Sequence, residues 1–99
     1  RGAASARPTE ADDRAAQDDP LWDALRALRT DIAAEQGVPP YVVFHDATLR
    51  DMVRRRPTSA DDLLDVSGVG AAKLERYGAR FLALIREHVA GAAAAVDER

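Results

Sequence analysis

No cysteine occurs anywhere in the 99 residues. Disulfide bridges and thiolate metal sites are thereby excluded, and nothing argues for secretion. No apolar run approaches the roughly 20 residues needed to span a bilayer, so no membrane partner is expected. The opening stretch, Arg1 to Pro20, carries arginines but lacks the apolar core of a secretory signal. A bacterial cytoplasm or a nucleus fits these absences, and the cytoplasm is the expectation.

An excess of positive charge is missing too. The formal net charge is -3. Residues 1–20 hold three arginines and five acids, and residues 91–99 hold one arginine and two acids. The segment between them, 21–90, has ten basic and ten acidic residues and is neutral. A neutral domain binds nucleic acid only where its basic residues cluster, and then weakly.

The length suits one domain. A packed part of about 70 residues has a modest core and little room for a deep substrate cavity, so binding is expected rather than catalysis. Residues 1–18 are rich in Ala, Asp and Arg and nearly free of large apolar groups, and they read as a disordered linker. The beginning without Met fits a segment of a longer protein. Residues 19–90 form the expected helical domain, and 91–99 a frayed helix end or tail.

Within 19–90 the periodicity predicts five helices with short links. Asp19 caps the first, with Pro20 at its first position. Leu21, Trp22, Leu25, Leu28 and Ile32 form one apolar face, Arg26 and Arg29 fall off it, and Gly37 ends the helix. Trp22 reads as a core anchor. The run Pro39-Pro40-Tyr41-Val42-Val43-Phe44 resembles a strand, but no partner strand exists, and a lone strand is not stable. It is expected as an apolar connector, extended or 3-10, pressed onto the helices. Asp46 then caps a second helix, with Leu49, Met52 and Val53 inward, Arg50, Arg54, Arg55 and Arg56 largely outward, and Pro57 as its stop. Ser59 and Asp62 form a capping-box-like start for a short third helix. A fourth helix ends at Gly78. The last buries Phe81, Leu82, Leu84, Ile85 and Val89.

The strongest local signal is Leu63 to Lys73, a short helix, the turn Ser67-Gly68-Val69-Gly70 and a second helix. Gly68 and Gly70 permit positive φ and close backbone approach. Amides at the start of the second helix, with its partial positive charge, make an anion site suited to a DNA phosphate. Lys73, Arg76 and Arg80 add charge nearby. The arrangement resembles a helix-hairpin-helix element. The simpler account is a tight helix–helix corner, and both stay open.

Four blocks now stand in order: Pro39 to Phe44, Asp46-Ala47-Thr48-Leu49, Val66 to Gly70, and Lys73-Leu74-Glu75-Arg76-Tyr77-Gly78. Together they strongly resemble the HRDC domain at the C-terminus of bacterial RecQ helicases, from about Leu21 to Val89. The resemblance implies an all-α, compact five-helix bundle of the SAM-like orthogonal kind. It implies an auxiliary domain that binds single-stranded or branched DNA and tunes substrate choice by the helicase core of the same chain. The motor of such a helicase uses ATP and Mg²⁺ near the nucleoid. None of its phosphate-loop or acid motifs occurs here, so this segment has no cofactor and no catalytic residue of its own.

Carried over by resemblance, the DNA-contacting positions include Tyr41, Lys73 and Arg76. An exposed aromatic beside basic groups stacks on a base while the charges hold phosphates. Tyr41 equally suits a core position with a hydroxyl partner. Arg26 and Arg29, one turn apart, would extend a basic strip.

The acids depart from a typical DNA-binding module. Asp61, Asp62 and Asp65 lie close together on the third helix, Asp31 and Glu35 form an i,i+4 pair on the first, and Asp23 and Asp51 offset nearby arginines. Such pairs can bind Mg²⁺ or do acid–base work. Solvated helix faces and favourable charges at helix starts are the simpler account. An acidic face also suits docking on a basic surface of the helicase core or of another protein. His45 and His88 lack companion ligands, so no metal site is assigned. Ser5, Ser59 and Ser67 have no evident His–Asp partners.

Overall fold

The computed structural model describes residues 10–97, with side chains described for residue 11 and residues 13–91. Six helices run through them: α1 (Glu10–Gln17), α2 (Pro20–Gln36), α3 (Pro40–Val43), α4 (Asp46–Arg55), α5 (Ala60–Leu64) and α6 (Ala71–Asp97). No strand occurs among the described residues. The architecture is the expected all-helical one, with a different division into elements.

The punctuation of α2 follows from its sequence. Asp19 accepts a hydrogen bond from the Leu21 amide at 2.9 Å, and Pro20 opens the first turn. Gly37, at φ 67, takes the left-handed conformation that closes the helix. Ser59 likewise caps α5, its hydroxyl accepting from the Asp62 amide at 3.1 Å. Asp46, expected as a cap, is instead the first residue of α4. His45 holds the cap position, and its side chain makes no capping bond.

Three boundaries differ from expectation for identifiable reasons. The connector 40–43 closes into one α-helical turn, with Val43 and Phe44 buried and Tyr41 and Val42 exposed. Pro39 and Pro40 preset the backbone for such a start, since a proline at the first position loses no helical hydrogen bond. The expected fourth and fifth helices are one helix of 27 residues, α6. Gly78 sits inside it, buried where Leu74 and Leu63 close in: a Cβ there would lie 2.7 Å and 3.6 Å from their methyl carbons. The glycine serves side-chain approach rather than a turn, because no proline follows it and its backbone stays helical.

The third difference is α1. It falls within residues 1–18, the expected linker. Its Ala16 is buried against the core, and Asp13 lies between two arginines of α4. Alanine-rich sequence needs few contacts to be helical, and one buried alanine with one paired carboxylate, Asp13, supplies them. The rest of that expected linker, residues 1–9, lies outside the described residues. At the other end, the expected frayed segment continues α6 as far as Asp97.

The core is one cluster. Leu21, Leu25 and Ile32 of α2 meet Leu49 and Met52 of α4 and Phe81 and Ile85 of α6. Phe44 lies at its centre, edge-on to Phe81 at 5.0 Å and to Tyr77 at 5.9 Å, a favoured aromatic geometry. The Tyr77 hydroxyl donates to Gln36 Oε1 at 3.0 Å and joins the end of α2 to α6.

Candidate nucleic-acid interface

Phe44 anchors α3 from inside, which leaves the other side of that turn on the surface. Tyr41 is 59% exposed, the most exposed large apolar side chain among the described residues, and Val42 is exposed beside it. The Tyr41 ring stacks against His45, with centroids 6.0 Å apart and 23° between planes. Tyr41 is therefore not a core residue. Lys73, in the first turn of α6, reaches back to this turn. Its ammonium donates to the Val42 carbonyl at 3.1 Å and lies 5.6 Å from the Phe44 ring centroid. Aromatic turn and α6 start are thus neighbours on one exterior face.

The glycine corner divides into two halves. Gly68 has φ 89, and a Cβ there would overlap the Thr48 hydroxyl of α4. The Ser67 amide donates to Asp51 Oδ2 at 3.0 Å, and the Val69 amide to the Val66 carbonyl at 3.1 Å. That half is a packed corner, with amides engaged by the protein itself. Gly70 is different. A Cβ there would meet nothing within 4 Å, and its carbonyl accepts the Leu74 amide at 2.9 Å, as a helix cap does. Among the described residues no hydrogen bond uses the N–H groups of Gly70, Ala71, Ala72 or Lys73. These are the free donors of a helix N-terminus, with the partial positive charge of the helix behind them.

The remaining basic candidates separate. Arg76 is exposed on α6, one turn beyond Lys73. Arg80 is turned to Glu35, with nitrogens 3.0 Å and 3.3 Å from its two carboxylate oxygens. Arg26 is exposed over the Trp22 ring, 5.7 Å from its centroid. Arg29 is buried, and its guanidinium donates to the Phe44 carbonyl at 3.0 Å and to Asp46 at 2.7 Å. It is not a surface contact, and the basic strip of Arg26 with Arg29 does not exist. Position 29 follows Leu25 by four residues and precedes Ile32 by three, so it lies on the apolar face. Its charge, not its spacing, set it apart.

This geometry matches a known domain along most of its length. The family profile described as "HRDC domain" matches residues 18–85. The chain belongs to the HRDC family. The ATP-dependent DNA helicase RecQ of Haemophilus influenzae is 51% identical over 73 residues, 74% of this chain and 12% of that protein. The ATP-dependent DNA helicase UvrD2 of Mycobacterium tuberculosis is 44% identical over 69 residues, 70% of this chain and 10% of that protein. The solved structure "D. radiodurans RecQ HRDC domain 3" has a TM-score of 0.67 and 38% identity, covering 70% of this chain and 91% of that one. This HRDC domain thus spans about a tenth of the length of the helicases it resembles.

The acids of this HRDC domain fall into two sets. Asp61, Asp62 and Asp65 are exposed around α5. Asp51 is buried and serves three groups: the Ser67 amide, Arg54 Nη2 at 3.3 Å and Arg55 Nε at 2.9 Å. Among the described residues no three His, Cys, Asp or Glu side chains group as a metal site requires. No helix there is long and apolar enough to cross a membrane. Two participants escaped the sequence: His45 as the stacking partner of Tyr41, and Asp51 as the carboxylate beneath the corner. The spacing of Tyr41 and His45, four apart across a helix boundary, was the only available signal for the first.

Proposed function

We propose that this HRDC domain is an auxiliary module of a RecQ-like DNA helicase that binds single-stranded or branched DNA weakly and tunes substrate choice of the motor. One observation carries the proposal: the exposed Tyr41 shares a face with Lys73 and with the unbonded amides from Gly70 to Lys73. A base stacks on Tyr41, whose turn is already ordered by the buried Phe44. The flanking phosphates meet Lys73, Arg76 and the amides of the α6 start. Arg26 lies outside this grouping and is a secondary contact. Gly68 shapes the corner without touching DNA. ATP and Mg²⁺ belong to the motor of the parent helicase. The likeness to UvrD2 widens the class of parent motors that fit.

The test is a titration of the chain with short labelled single-stranded DNA at several salt concentrations. Tyr41→Ala is expected to weaken binding about fivefold to thirtyfold, the worth of one stacked base. Lys73→Ala is expected to weaken it and to lower the slope of log affinity against log salt by about 0.7. No binding by the parent chain at low salt removes the proposal.

A second reading rests on Asp61, Asp62 and Asp65, exposed together and with no ion-pair partner among the described residues. They suit docking on a basic surface of the helicase core. Reversing all three charges then changes unwinding by the parent helicase and leaves binding of bare DNA unaltered. An unwinding activity indifferent to that reversal excludes it.

A further inference from the structure

Arg50, Arg54, Arg55 and Arg56 crowd the outer side of α4, a concentration of positive charge matched nowhere else in this sequence. Three carboxylates face them. Asp13 of α1 lies between Arg50 Nε, at 3.3 Å, and Arg54 Nη1, at 3.5 Å. Asp51 takes Arg54 and Arg55. Asp19, between α1 and α2, pairs with Arg56. Four guanidiniums therefore share three acids.

These acids do not have equal duties. Asp51 is buried and holds the Ser67 amide, and Asp19 caps α2. Asp13 has neither role. Its side chain is 38% exposed and its two contacts are long, so the pairing is weak and screened by salt. It also lies on α1, which precedes residues 18–85, the part common to the family. The guanidinium fork donates to phosphate oxygens in the geometry in which it donates to carboxylate oxygens. A carboxylate shared loosely by two arginines stands where a phosphate would sit.

We propose that the α4 arginines, Arg50 and Arg54 above all, form a second binding surface for the phosphate backbone of single-stranded nucleic acid, and that α1 covers it with Asp13 in place of a phosphate. The surface uses no residue of the Tyr41–Lys73 face. It adds a separate contact along the strand whenever α1 yields, and the competition makes binding there depend on what α1 is doing.

The decisive variant is Asp13→Asn in the full 99-residue chain, which keeps the size of the side chain and the buried Ala16. The probe is a short labelled oligothymidylate, titrated at several salt concentrations. Affinity at low salt is expected to rise about threefold to tenfold, with a salt slope steeper by about 0.7 for each phosphate gained. The same rise is expected in a Lys73→Ala background, which separates this surface from the other face. Adding Arg50→Ala and Arg54→Ala should return the chain to its starting affinity. If Asp13→Asn loosens α1, as hydrogen exchange would reveal, the arginines are uncovered further and the rise is still expected. Unchanged affinity and slope overturn the proposal, as does a rise that survives loss of both arginines.

Discussion

Arg29 and Gly68 decide more about this molecule than their chemistry announces. Arg29 carries a charge into the interior, where its stem packs and its guanidinium holds the Phe44 carbonyl and Asp46. Arg29→Ala removes the stem and leaves a carbonyl without its donor. It is expected to lower stability by about 2–4 kcal/mol in urea denaturation. Gly68 and Gly70 are only two residues apart, yet their substitutions should diverge. Gly68→Ala forces a side chain into a left-handed backbone and onto Thr48, at a cost of about 2–3 kcal/mol. Gly70→Ala meets open space and should stay within about 1 kcal/mol of the parent. The pattern Gly-x-Gly was legible in the sequence. Which glycine packs and which lies open was not, because that depends on Thr48, twenty residues away and brought near only by the fold.

At the level of elements, local signals were read well where a cap or a proline enforces a boundary. Asp19, Gly37, Ser59 and Pro57 all lie at helix ends. Boundaries failed where tertiary packing overrides a local cue. Gly78 has the look of a stop, and Leu63 against it makes it a contact point within α6. Gly78→Ala gains helix propensity and asks only that the tip of Leu74 shift. It should alter stability by less than about 1 kcal/mol, whereas Gly78→Pro should cost roughly 3 kcal/mol or more. Paired melts of the two variants check this. The α1 helix was invisible for a different reason. Its apolar stake in the core is Ala16, too small to produce a periodic stripe. Ala16→Glu places a charge in that contact. It is expected to raise amide exchange throughout α1 while α2 and α6 keep their protection.

Over the whole molecule, the near balance of charge conceals an uneven layout. Lys73, Arg76 and the α6 amides mark one region, the α4 arginines another, and the α5 acids a third. Composition could report the balance but not the layout, which is why the candidate site was legible as a set of residues and not as a surface. The core, by contrast, is one continuous cluster to which every helix contributes, α3 through Val43, with Phe44 just beyond it. Unfolding should therefore be a single step. Trp22 fluorescence and far-ultraviolet dichroism are expected to give coincident thermal transitions, and a split between them would mean that part of the bundle melts on its own.

The residues of α3 assign their duties by side: Val43 and the adjoining Phe44 look inward, with Arg29 holding the Phe44 carbonyl, while Tyr41 and Val42 look outward, the Tyr41 ring lying against His45. Anchored side and exposed side are therefore separate parts of the same turn. Mutation can exchange the ring at position 41 for another aromatic, or blunt it, and the scaffold beneath has no reason to respond. A bundle so arranged can vary its exposed face in single steps, without first having to repair its own fold.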